Sequence, residues 1–159
     1  MMAMNEEDNK LLVKMELENG GKLEYRTYAQ FLGKSGEGTK NLGGLLYFVG
    51  NRLIFEDFER QNSTLLLLFR KRGKYEKLKF QIDLSEIERL NLVNLSTAVK
   101  AVKFKKDPRQ INEVSTVKRL LFRNVTQILL KNGSAFYFEI FDLKGFNKFI
   151  SEKLSSTNK

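Results

Sequence analysis

Apolar positions recur at every second residue through much of this chain, and at three- and four-residue spacing near its end, which predicts strands first and one closing helix. The clearest alternation is Glu76 to Ile82: Leu78, Phe80 and Ile82 face one way and Lys77, Lys79 and Gln81 the other, as in a half-buried antiparallel strand. Upstream, Lys22 to Leu32 is rich in Tyr, Thr and Phe and reads as a first strand. Leu45 to Val49 and Arg52 to Phe58 read as a hairpin around Gly50-Asn51, a pair suited to the positive φ of tight turns. Thr64 to Phe69 is apolar on both faces and reads as a further strand, after which Arg70 to Lys74 turns the chain. Ile87 to Val93, Lys118 to Phe122, Val125 to Lys131 and Ala135 to Phe141 supply the remaining strands, with a turn at Asn132-Gly133. In the last of them Phe136, Phe138 and Ile140 are expected to face the core, with Tyr137 and Glu139 outside.

Helical spacing appears at the end. Leu143, Phe146, Phe149, Ile150 and Leu154 form one apolar stripe, and Asp142 is placed to cap the first turn by accepting from its amides. Packed against the sheet, Phe149 is expected to cost about 3–5 kcal/mol on truncation to Ala. The acidic stretch Met1 to Lys10 reads as irregular, and Ser155 to Lys159 as a short polar tail. Asn94 to Thr116 reads as a long basic loop holding the one proline, Pro108, with a short helix around Leu95 to Phe104. Gly33 to Lys40 is a polar loop. Its Gly-Lys-Ser does not make a phosphate loop, because Tyr28 stands where the first glycine belongs and no helical pattern follows Ser35.

Composition narrows the chemistry. The chain has 159 residues, enough for one domain with a real core, and contains neither histidine nor cysteine. Ser-His-Asp and Cys-His catalysis therefore lack a base or a nucleophile, and the usual zinc and iron ligand sets are missing. No spacing of carboxylates or lysines advertises another active site, so the expectation is a non-enzyme without metal or cofactor. Absent cysteine suits a reducing cytoplasm. The first residues carry Glu6, Glu7 and Asp8 rather than a basic, then apolar, leader, and the longest apolar run, Leu65 to Phe69, is too short to span a bilayer. Asn-x-Ser/Thr triplets at Asn62, Asn94, Asn124 and Asn132 then read as chance occurrences. The expected location is the cytoplasm, with peripheral attachment at the inner membrane face.

Strands followed by one C-terminal helix resemble the pleckstrin-homology superfold, and Gly44 to Phe55, with its Gly-led strand, tight turn and Arg-Leu-Ile-Phe strand, is similar to the GRAM branch. Ile82 to Ile87, I-D-L-S-E-I, resembles a second GRAM segment with Asp83 in place of proline, and Gln127 to Leu154 fits the closing hairpin and helix. The resemblance covers Lys22 to Leu154 apart from Thr64 to Tyr75 and Asn94 to Thr116. It implies an α+β, mainly β fold: a bent antiparallel sheet or partly open barrel closed by one C-terminal helix, with an extra hairpin strand and a long loop insertion. The expected division is an N-terminal extension over 1–21, a domain over 22–155 with insertions near 59–75 and 94–116, and a tail over 156–159. The resemblance implies a binding module, for lipid headgroups or for peptides, and no catalytic residue.

The net charge of +9 favours anionic partners. Arg70, Lys71, Arg72, Lys74, Lys77 and Lys79 form the candidate anion-binding site, beside Tyr75. Six cations less Glu76 supply at most about 5 kcal/mol at an anionic bilayer, enough for weak, reversible docking. The same charges also suit a solubility role, guarding the apolar Leu65 to Phe69 strand against aggregation. That strand could instead add to a partner's sheet or pair with its own copy, making a protein-interaction or homo-oligomerisation module. Nucleic acid ranks third, since Lys100 to Arg109 offers charge but only Phe104 for stacking.

Overall fold

The structure, a computed structural model, describes residues 6–58, 78–104, 107–115, 117 and 123–157. Its centre is a curled half-barrel of seven antiparallel strands in the order β4-β3-β2-β1-β7-β6-β5. The strands are β1 (Leu23–Lys34), β2 (Thr39–Val49), β3 (Arg52–Asp57), β4 (Lys79–Asp83), β5 (Ile87–Asn94), β6 (Asn124–Leu130) and β7 (Ala135–Ile140). Three helices accompany them among the described residues: α1 (Glu6–Asn19), α2 (Leu95–Lys103) and α3 (Leu143–Thr157). This α+β, mainly β arrangement with one C-terminal helix is consistent with a pleckstrin-homology-like architecture. The expected strand over Thr64 to Phe69, the turn over Arg70 to Lys74 and the strand over Lys118 to Phe122 lie outside the described residues.

Alternation decides the two faces of the sheet. Phe31, Leu46, Phe48, Leu53, Phe55, Ile82, Ile128, Phe136, Phe138 and Ile140 point inward, and α3 closes this cluster with fully buried Phe146 and Ile150. Leu143, Phe149 and Leu154 pack beside them partly buried, so the whole predicted stripe meets the core. Asp142 caps α3, its Oδ1 accepting from Gly145 N at 3.1 Å. The β2–β3 hairpin turns at Gly50, with φ +60°, and Val49 faces Arg52 across it.

The outer face is covered in two places. Met15 of α1 packs on Tyr47, Val49 and Ile54, while α2 places Ala98, Ala101 and Val102 on Val93, Val125, Leu129 and Tyr137. Tyr137 is therefore fully buried, contrary to its expected position outside, because α2 covers the outer face where it stands. Its hydroxyl accepts from Gln127 Nε2 at 3.0 Å, which satisfies both buried groups. The N-terminal stretch also departs from expectation: residues from Glu6 onward are helical, not irregular. Glu6, Glu7 and Asp8 complement the positive end of the helix dipole, and Asn19 is anchored by donating to Tyr47 Oη at 3.1 Å. After Asn94 the expected short helix is present as α2, capped by Asn94 Oδ1 accepting from Ser96 N at 2.9 Å, whereas the part expected as loop beyond it packs: Ile111 and Val114 are buried, and Val114 N donates to Leu92 O of β5 at 2.8 Å.

Candidate functional site

Two features of the sheet bear on binding: the end from which its longest connection leaves, and the strip of outer face that neither α1 nor α2 covers.

Because β2 runs antiparallel to both β1 and β3, the β1–β2 turn and the connection from Phe58 to Leu78 leave the sheet at one end. The neck of that connection is tied: Asp57 N donates to Leu78 O at 3.0 Å, and Leu78 N donates to Asp57 Oδ2 at 3.1 Å. Arg70, Lys71, Arg72, Lys74 and Lys77 lie outside the described residues. Lys79, the remaining member of the expected site, is exposed on β4 opposite Glu56, with Nζ 3.8 Å from Oε2. As expected, it points away from the side occupied by Phe80 and Ile82.

The same end receives the second basic run of the sequence. Gly36 N donates to Ala101 O at 3.1 Å and Gly38 N to Val102 O at 3.0 Å, so the β1–β2 turn is fastened to the last turn of α2. Lys100, Lys103 and Phe104 are exposed there, near Lys40 at the start of β2. Lys34 is more committed: its Nζ lies 3.5 Å from Glu37 and 5.4 Å from the centre of the Phe136 ring. Lys40 and the lysines of α2 are far apart in sequence; the hydrogen bonds from the turn to α2, with the packing of Ala101 and Val102 on Leu32 and Tyr137, set them at one end of the sheet.

Along the outer face, Tyr28 of β1 touches Phe58 with ring centres 5.7 Å apart, and Phe141 N donates to Tyr28 O at 2.9 Å. Tyr28, Phe58 and Phe141 are 61 %, 47 % and 87 % exposed. Gly43 lies beside Phe58, whose Cδ2 would be in ordinary contact, at 3.9 Å, with an added Cβ. Sequence reading missed this strip, because its members come from the middle of one strand and the ends of two others. Alternation does signal it weakly: Tyr28 and Phe141 each fall on the polar phase of their strands.

Two further polar contacts tie elements of the sheet together. Tyr47 donates to Glu56 Oε2 at 2.9 Å, and burial, followed by that carboxylate, pushes its phenol well above the ordinary range. Asp83 accepts from Ser85 N at 2.9 Å, and this bond holds its carboxyl below the usual range. Among the described residues no group of three acidic side chains is placed to hold a metal ion, and no helix is long and apolar enough to cross a membrane. Comparison with known proteins gives no match to a family model, a curated protein or a solved structure.

Proposed function

We propose that this protein is a non-catalytic binding module of the pleckstrin-homology-like kind, with its likeness in the GRAM branch, that docks weakly and reversibly on anionic membrane surfaces. The observation that carries the reading is the exposure of Lys40, Lys79, Lys100 and Lys103 toward the end of the sheet from which the connection after Phe58 leaves. The connection bearing Arg70, Lys71, Arg72, Lys74 and Lys77 departs where Lys79, Lys40, Lys100 and Lys103 are exposed. Each cation near an anionic bilayer contributes about 1 kcal/mol, so no single residue dominates and salt weakens the whole. Phe104, exposed beside Lys103, supplies an apolar side chain that can enter the headgroup region.

Co-sedimentation with phosphatidylserine-containing and pure phosphatidylcholine vesicles tests this. Binding to the anionic vesicles should fade with added salt and drop when Lys100 and Lys103 become Glu, and again when Arg70, Lys71 and Arg72 become Ala. Equal recovery with neutral vesicles, or none with either, removes the reading.

A second reading, protein interaction or self-association through a strand edge, is favoured by the position of β4 at one end of the strand order. Light scattering separates the two, since this reading requires a mass above the monomer or a protein partner and no vesicle binding.

A further inference from the structure

Two asparagines of the chain are followed by glycine, in Asn19-Gly20 and Asn132-Gly133. In such a pair the glycine nitrogen, unhindered by a side chain, can attack the asparagine Cγ and close a cyclic imide. The fold treats the two pairs differently. Asn19 is buried at the end of α1, where its amide donates to Met15 O and to Tyr47 Oη and is held away from its own backbone. Asn132 is exposed in the turn between β6 and β7.

The surroundings of Asn132 suit the reaction. Its Oδ1 accepts from Ser134 N at 2.9 Å and from Ser134 Oγ at 2.7 Å. These bonds span Gly133, so they fold the side-chain amide back toward the glycine, and their donors sit where negative charge develops on oxygen during attack. Arg109 adds a cation. Its Nη2 donates to Lys131 O at 2.8 Å and to Glu88 Oε2 at 2.9 Å, while Nη1 lies beside Gly133, 3.2 Å from the place of an added Cβ. A cation there favours loss of the Gly133 proton, which makes the nitrogen nucleophilic. Against this, Gly133 N donates to Leu130 O at 2.9 Å, and that bond must open first. Gly133 has φ +90°, so the turn that needs a glycine for its shape is also the one where glycine leaves the asparagine open to attack.

We propose that Asn132 is a site of spontaneous deamidation, with water as the co-reactant. Gly133 N gives its proton to solvent and attacks Asn132 Cγ; the Cγ–Nδ2 bond breaks, and Nδ2 takes up a proton and leaves as ammonia. Water then opens the imide at either carbonyl, giving aspartate or isoaspartate. Both products set a carboxylate beside Arg109 in competition with Glu88, and isoaspartate lengthens the backbone of the turn by a methylene. The turn lies at the basic end of the sheet: Ser35 N donates to Ala135 O at 2.9 Å, and Ala135 N to Ser35 Oγ at 3.0 Å, which fasten it beside the β1–β2 turn. Deamidation therefore subtracts positive charge from the end proposed to dock on anionic membranes, slowly and in one direction. The chemistry stands without that docking; its effect on membranes rests on it.

The test is to age the purified protein in mildly alkaline buffer and follow its peptides by mass spectrometry. The fragment holding Asn132 should gain one mass unit while the fragment holding Asn19 stays unchanged, and Asn132→Gln should abolish the gain. Ser134→Ala and Arg109→Gln should each slow it about tenfold, whereas loss of a residue that only stiffened the turn would speed it. No gain at Asn132, an earlier gain at Asn19, or a faster gain in either variant overturns the proposal. Ageing should also lower recovery with phosphatidylserine vesicles for wild type and leave Asn132→Gln unchanged. Fresh protein that never binds vesicles removes the membrane reading alone, and the mass gain then decides the site by itself.

Discussion

The Tyr25 hydroxyl donates to Asp142 Oδ2 at 2.8 Å, joining the first strand to the cap of the last helix across 117 positions of sequence. The Tyr25 ring stacks on Phe149 with centres 5.1 Å apart, so one side chain holds α3 by its edge and by its face. Burial, then the Asp142 carboxylate, push the phenol from 10.0 up to about 12. A raised folded-state value means that stability is fully present below pH 10 and is lost as pH rises toward about 12. Tyr25→Phe keeps the stack and loses the bond; it should cost about 1 kcal/mol at neutral pH and flatten the loss of stability in that alkaline window. Denaturant melts of both proteins from pH 8 to about 12 check this, and parallel curves would remove the Asp142 bond as the cause.

Phe146 and Phe149 lie on one stripe but differ in burial, Phe146 being fully buried and Phe149 only partly so. Phe146→Ala should cost about 3–5 kcal/mol and Phe149→Ala about 2–3, the smaller value reflecting area that stays in water. Thermal denaturation ranks them, and the reverse order would mean that α3 sits rotated on the sheet.

Adjacent glycines in β2 should respond in opposite ways. A Cβ on Gly44 would lie 2.4 Å from Glu56 O and 2.7 Å from Phe55 Cζ, so β2 and β3 must part; at Gly43 the nearest atom is Phe58 Cδ2 at 3.9 Å. Gly44→Ala should destabilise by about 1–3 kcal/mol or more, and Gly43→Ala should be close to neutral. Matched melts decide it.

α1 is held by few groups: Met15, and Asn19 donating to both Met15 O and Tyr47 Oη. Arg52 adds a bond to Asn19 O. Tyr47→Phe leaves the Asn19 amide and Glu56 without their shared hydroxyl, at about 1–3 kcal/mol. Limited proteolysis should then cut within 6–19 earlier than in wild type while the strands stay protected. Unchanged cleavage would mean that Met15 alone suffices, which Met15→Ala would test directly.

Local pattern was enough for most strands, because a period of two is set by each strand's own residues: β1, β3, β5, β6 and β7 fall close to where alternation and turn residues put them, whereas β2 begins at Thr39, six residues before the expected Leu45, where polar residues and Gly43-Gly44 hide the strand and only pairing with β1 reveals it. The apolar stripe of α3 and its Asp142 cap were legible for the same reason. α1 was not, since its polar residues surround the helix and its stability comes from Met15 and Asn19 reaching distant Tyr47. Tyr137 was placed on the wrong side of the burial boundary because alternation gives a side chain's face and not what covers that face; α2, remote in sequence, made it interior. The same limit applies to function. Charge and the missing histidine and cysteine were written in the chain, but the meeting of Lys100 and Lys103 with the β1–β2 turn, and of Tyr28 with Phe58 and Phe141, arises from strand order and register. Residues far apart along a chain become neighbours only when hydrogen-bonded ladders fix their relative height, and that is a property of the folded sheet.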